Sequence, residues 1–219
     1  MSHHWPNCRR FRLPVLFALA AVAALAVDLP IAWKFQQWNR SDEIRSYLGY
    51  FSVFEPFGQG MLGVPLVLIA IHQLDPQRRW AMPRVLACAL LAGGAAALLK
   101  TLVARTRPYG LPLDGSIWTT FGPWLPLLGT GSEGQSLPSG HTATAAGLAA
   151  ALVWLYPNGR LLFPALAVLV GCHRIVCGAH YLSDVLMGAA LGCLVSQFVL
   201  GIGPLPAWFA RRETRWRAK

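Results

Sequence analysis

Apolar and polar positions along this chain come in long blocks, not in alternation. Six apolar runs stand out, at about residues 13–33, 57–74, 84–103, 138–156, 161–179 and 181–203. Each is close to the roughly 20 residues that a helix needs to cross a bilayer. Ala, Leu, Val and Gly dominate all six, and a helix satisfies its own backbone groups where no water can. The pattern predicts an all-α fold: a six-transmembrane-helix bundle, with residues 1–219 forming one domain. Gly93, Gly94 and Gly188 are small positions that let neighbouring helices approach closely. No internal repeat and no low-complexity tail interrupts the pattern.

The first run has a second reading. Arg9, Arg10 and Arg12 precede it, and Ala24-Leu25-Ala26 has the small-x-small form of a signal-peptide cleavage site. Its apolar stretch continues through Pro30–Trp33, which favours a retained span. Two segments between runs are long. Residues 34–56 mix Trp38, Tyr47, Tyr50, Phe51 and Phe54 with Arg40, Asp42, Glu43 and Arg45, which predicts a helix lying at the lipid interface between the first and second spans. Residues 108–137 hold Pro, Gly and Trp with few charges and read as a loop near the membrane surface, placed to cover a site.

Composition agrees with the block pattern. The chain is 55% hydrophobic and 13% charged, where a soluble domain carries about 25% charged residues. Its net charge of +10 would suggest nucleic acid in a soluble protein. Here the basic residues flank apolar runs, so no nucleic-acid partner is expected. Segments 1–12, 75–84, 157–160 and 204–219 hold 12 of the 19 Lys and Arg. The positive-inside bias therefore puts both termini in the cytoplasm of a multi-pass protein of the bacterial inner or cell membrane. The five cysteines form no framework and no zinc spacing. Cys88 and Cys193 read as small hydrophobes, Cys172 and Cys177 lie near a polar cluster, and Cys8 is N-terminal. His3 and His4 are too close together for a good metal site, so no metal and no cofactor is expected.

Three polar clusters fall at ends of spans on the non-cytoplasmic face. In the first, Lys100 and Arg107 are seven residues apart, two helical turns, and share a face. Taken alone, this is the basic end of a span, but on the side where positives are disfavoured. In the second, Pro138-Ser139-Gly140-His141 opens the fourth span: Pro suits a first helical turn, and free N–H groups with the helix dipole favour an anion beside His141. In the third, Arg174 precedes His180 and Asp184, which are one helical turn apart. A carboxylate bonded to one imidazole nitrogen fixes the tautomer and exposes the other nitrogen as a nucleophile. Ionisable groups in spans are costly and mark function. Together the clusters supply three cations, a helix start and two histidines, which suits phosphoryl chemistry without carboxylates for magnesium. Asp28, near the outer end of the first span, reads either as a contact of the site or as the partner of a neighbouring charge, and pairing is the favoured reading.

Lys-x6-Arg-Pro (100–108), Pro-Ser-Gly-His (138–141) and Arg-x5-His-x3-Asp (174–184), in this order, resemble the three-part signature of the type 2 phosphatidic acid phosphatase superfamily. That superfamily holds membrane lipid phosphatases and vanadium-dependent haloperoxidases, and the resemblance spans about residues 85–203. It implies that Lys100, Arg107, Ser139, Gly140 and Arg174 bind phosphate. His180 would attack phosphorus and form a phosphohistidine, Asp184 would orient His180, and His141 would protonate the leaving group. It also implies a lipid phosphate or pyrophosphate substrate. The family's third motif usually begins Ser-Arg, and this chain has His173-Arg174, so His173 and Pro138 are placed behind the contacting residues. Two other functions remain open: phosphoryl transfer to a lipid or sugar acceptor, and non-catalytic binding of anionic lipid. The identity of the lipid and the oligomeric state are not encoded in these motifs.

Overall fold

The computed structural model describes residues 11–127, 129 and 131–217; His3, His4, Cys8, Arg9 and Arg10 lie outside them. Nine α-helices are present among the described residues: α1 (Arg12–Ala24), α2 (Asp28–Trp38), α3 (Asp42–Gly49), α4 (Gly63–Leu74), α5 (Met82–Lys100), α6 (Gly140–Leu155), α7 (Leu162–Val176), α8 (Leu182–Leu200) and α9 (Pro204–Arg217). A 3-10 helix over Tyr50–Gly58 joins α3 to α4, and a second over Pro76–Ala81 leads into α5.

Helix α6 sits at the centre, packed against α5, α7 and α8, while α1 lies along α8. Small residues make these contacts close. A Cβ on Gly147 would come within 2.5 Å of the Cys88 carbonyl, and one on Gly188 within 2.5 Å of the Ser139 carbonyl. Gly188 thus acts as the sequence predicts. Gly93 faces Thr144 of α6, but Gly94 borders open space. Val64, Ile71, Val85, Cys88, Ala89, Leu148, Leu152 and Val199 fill the core toward one end of the bundle.

Only part of the predicted span layout takes the form of straight helices. The stretch Pro76–Lys100 and helix α8 are long and apolar enough to cross a membrane. Two further runs are broken. Between α1 and α2 the axis bends by 75°, and the run that ends in α4 bends by 64° after Gly58. Helices α6 and α7 are apolar but have 16 and 15 residues. The expected continuous helix over 13–33 is therefore corrected. The break has a cause: Asp28, fully buried, becomes the first residue of α2 and is held by Arg105 and Ser183.

Three local readings also change. The segment 34–56 is not one helix but the end of α2, α3 and a 3-10 helix, with Tyr47, Tyr50 and Val53 exposed. The loop 108–137 contains a strand, β2 (Phe121–Trp124), antiparallel to β1 (Val103–Arg105), so the fold is mostly but not wholly helical. Residues 204–217, expected only as a basic segment, form α9, in which Glu213 pairs with buried Arg84 of α5 at 2.7 Å.

Candidate active site

The three motifs converge, by routes that differ from simple helical spacing. Lys100 is the last residue of α5, and the chain then turns into β1. Arg107 follows the strand, so the shared helical face predicted for Lys100 and Arg107 is corrected. The Arg107 amide donates to the Glu133 carbonyl at 2.9 Å, and Arg105 exchanges backbone bonds with Gly134 and Ser136 at 2.9 Å. These bonds stitch the far end of the 108–137 segment to the first motif and carry Ser136 into the site. Lys100 lies within electrostatic reach of Arg107, Arg174 and Asp184.

The second motif starts α6, but two residues later than expected. Ser139 is the N-cap, with its Oγ accepting from the Thr142 amide at 3.4 Å and the Thr142 hydroxyl at 3.0 Å. Pro138 precedes the cap and is not in the first turn. The Ser139 amide donates to the Asp184 carbonyl at 3.0 Å, which ties the start of α6 to the start of α8. Ser139 is fully buried. Gly140 opens the first turn with no described atom close to the place a Cβ would occupy.

The third motif crosses a turn between α7 and α8. His180 lies in that turn, and Tyr181 is the N-cap of α8. His180 and Asp184 do come together as expected, but His180 lies before the helix, so the route by one shared helical face is corrected. The Asp184 Oδ2 accepts from the Tyr181 amide at 2.9 Å, as a residue at the third helical position does in a capping box. His180 Nδ1 is 3.8 Å from Asp184 Oδ2, too long for a direct hydrogen bond. Ser136 sits between them: its hydroxyl donates to Asp184 Oδ2 at 2.6 Å, and its Oγ is 3.5 Å from His180 Nδ1. Burial pushes the His180 imidazole down to about pKa 4, with Lys100 and Arg107 adding to that effect and Asp184 opposing it. The ring is therefore neutral at physiological pH.

Arg105 is the residue the motifs did not single out. It is fully buried and donates to Asp184 at 2.5 Å, to Asp28 at 2.8 Å and to Ser183 at 2.7 Å. Its guanidinium stacks 4.1 Å from the Tyr181 ring centroid. Asp28 in turn accepts from the Ser183 amide and hydroxyl. The reading of Asp28 as the partner of a neighbouring charge holds. One clue was available in the sequence: Arg105 is a cation beside the end of an apolar run, and such a group must find a buried partner.

Glu55 was also missed. It projects from the 3-10 helix over 50–58, and its Oε1 lies 2.6 Å from the Arg174 guanidinium and 3.3 Å from His141 Nε2. His173 Nδ1 lies 3.8 Å from Oε2 and has no hydrogen-bond partner among the described residues. Buried Nε atoms of Arg107 and Arg174 are likewise without one there. Beside His141 a cavity of about 420 Å³ runs along Gly60, Met61, Leu90, Gly93 and Gly94.

A buried imidazole backed by a carboxylate, a second imidazole and three nearby cations accompany a sequence match over residues 82–205 to the PAP2 superfamily. The chain belongs to the PAP2 superfamily. It is 34% identical over 137 residues to a lipid A 1-phosphatase of Rhizobium etli, a match covering 62% of this chain and 56% of that protein. It thus spans little more than half the length of that relative. It is 32% identical over 151 residues to a decaprenylphosphoryl-5-phosphoribose phosphatase of Mycobacterium tuberculosis, covering 67% of this chain and 75% of that one. The crystal structure of Aquifex aeolicus LpxE superposes with a TM-score of 0.50 at 20% identity, covering 77% of this chain and 93% of LpxE. That likeness is one of fold.

Proposed function

We propose that this PAP2 protein is an integral membrane phosphatase that hydrolyses a lipid phosphomonoester or pyrophosphate through a phosphohistidine. The observation that carries this reading is the state of His180: buried, held neutral, with Nδ1 turned toward Ser136 and Asp184. That leaves Nε2 as the attacking atom. In the first step Nε2 bonds to phosphorus, the bond from phosphorus to the leaving oxygen breaks, and His141 gives that oxygen a proton. In the second, His141 takes a proton from water, whose oxygen attacks phosphorus and releases His180 and inorganic phosphate. Lys100, Arg107 and Arg174, with the first turn of α6 at Ser139 and Gly140, bind the phosphoryl oxygens and balance their charge, so the chemistry requires no metal.

The membrane reading rests on the apolar runs and on the basic bias of the loops opposite the site. In it the six runs, including the two broken ones and the short α6 and α7, form one bundle with both termini in the cytoplasm. The site then opens to the outer leaflet, and residues 28–58 lie at the interface. Relatives named as phosphatases of lipid A and of a decaprenylphosphoryl sugar phosphate support a lipid substrate. The test is purified protein in detergent with a panel of lipid phosphates, with and without a chelator. Phosphate release that survives the chelator is expected. No release from any lipid sinks the activity, and release lost with the chelator sinks the metal-free mechanism.

A further inference from the structure

Glu55 is the one carboxylate among the described residues that meets the second histidine of the site, and neither the motifs nor the reaction steps above use it. A single oxygen, Oε1, is shared between the Arg174 guanidinium and His141 Nε2. This is the arrangement that a phosphoryl oxygen would take between a binding cation and a proton donor. The geometry points to Glu55 as a further determinant of the anion site: its carboxylate holds Arg174 and His141 when no substrate is bound, and the substrate's phosphoryl group displaces it. The inference rests on the phosphatase reading of the same site and adds to it a selection by charge.

Two observations and one physical argument support the exchange. First, donor capacity is left over. The buried Nε atoms of Arg107 and Arg174 have no hydrogen-bond partner among the described residues, and buried donors are rarely left so. A carboxylate with two oxygens satisfies this pocket less fully than a phosphoryl group with three. Second, Glu55 is placed to leave. It is about a quarter exposed, and Arg174 and the two imidazoles are the partners that hold its carboxylate. Its backbone, by contrast, is fixed, because a Cβ on Gly58 would meet the His141 carbonyl at 2.7 Å. The side chain can swing while the segment stays docked on α6. Third, a carboxylate and a phosphate repel at such distances in a partly buried site. A phosphate arriving at Arg174 therefore weakens the hold on Glu55 there.

The exchange keeps the cations paired in the empty protein and frees His141 Nε2 for the leaving oxygen only when an anion arrives. A dianionic phosphomonoester or a terminal pyrophosphate repays displacement of Glu55 better than a phosphodiester with its single charge. Glu55 thereby selects for the terminal phosphate of a lipid.

The probe is inorganic phosphate titrated calorimetrically into the purified full chain in detergent, which needs no turnover. Glu55→Gln keeps the shape and removes the charge. Because a hydrogen bond to a charged group is worth enough to change affinity on the order of tenfold, Glu55→Gln should bind phosphate on the order of tenfold more tightly. Unchanged or weaker binding overturns the inference. Glu55→Asp withdraws the carboxylate from Arg174 and replaces the Gln variant should that one fail to fold: tighter binding supports displacement, and equal or weaker binding ends it. Wild-type protein that binds phosphate yet hydrolyses no lipid phosphate would remove the proposed activity while leaving this contest for the anion site intact. Hydrolysis with no gain of affinity in the variants would remove the contest alone.

Discussion

The site has two imidazole–carboxylate arrangements, and they are built in opposite ways. His180 and Asp184 are 2% and 0% exposed, and the Asp184 carboxylate is fixed by Arg105, Ser136 and the Tyr181 amide. Arg105 is fixed in turn by Asp28, which holds the broken first run against the site. The His141 and Glu55 side chains are 33% and 23% exposed, and their contact is a single 3.3 Å approach. One half is a closed network of mutually bonded groups. The other half faces the pocket and can change partners. A nucleophile needs a set position and a set tautomer, which a buried network gives. A group that gives and takes a proton across two steps needs access to leaving group and water. The difference in burial is what the two roles proposed above would require.

The largest expected effect separates the two histidines by kinetics. His180→Ala removes the atom proposed to attack phosphorus, and loss of a nucleophile costs many orders of magnitude, on the order of 10⁴-fold or more in kcat. His141→Ala removes the proposed proton donor, a role worth roughly 10²–10⁴-fold. Residual turnover should therefore survive in the second variant and not in the first, and a leaving group that needs no proton should restore part of it. Turnover with p-nitrophenyl phosphate against a lipid phosphate reads this directly. Equal losses with both substrates would erase the division of labour.

Arg105 sharpens the contrast in stability instead of rate. Arg105→Ala leaves Asp28 and Asp184 buried without their shared cation. Breaking a buried pair in this way costs about 3–5 kcal/mol, visible as a large drop in thermal transition in detergent. Arg174→Ala removes a cation whose partner, Glu55, is partly exposed. It should leave the transition close to wild type and raise KM. If Arg105→Ala unfolds at the wild-type temperature, the closed half of the site is not closed.

What could be read from sequence divides along the same line. The motifs placed Lys100, Ser139, His141, Arg174, His180 and Asp184 in one site because each is a polar group where an apolar run ends. The apolar runs gave the helices, since their composition is the same whether a helix is straight or broken. The breaks were hidden because they depend on tertiary bonds: α2 starts at Asp28 to serve Arg105, which is 77 residues away. Helical spacing was the wrong ruler for two pairs. Lys100 and Arg107 are joined through β1, and His180 precedes α8, so neither pair shares a helix face. Glu55 carried no local signal at all. It lies in a segment that reads as an interfacial stretch, and only the packing of the 3-10 helix over 50–58 against α6 and α7 brings it to His141.

The smallest expected effect concerns His173, where the family's usual serine is replaced. The ring is buried, 3.8 Å from Glu55, and its Nδ1 makes no hydrogen bond among the described residues. Its link to the reacting groups runs through Glu55, in the adaptable half of the site. His173→Ser should therefore leave kcat within about threefold of wild type, because the reacting groups keep their partners, while the lost ring volume costs roughly 1–2 kcal/mol of stability. Any kinetic change should appear in KM, since a weaker hold on Glu55 eases its displacement from Arg174. The check is kcat and KM measured side by side with the thermal transition. A fall of a hundredfold in kcat with KM unchanged would place His173 among the groups that act on the substrate, and the two halves of the site would then have to be redrawn.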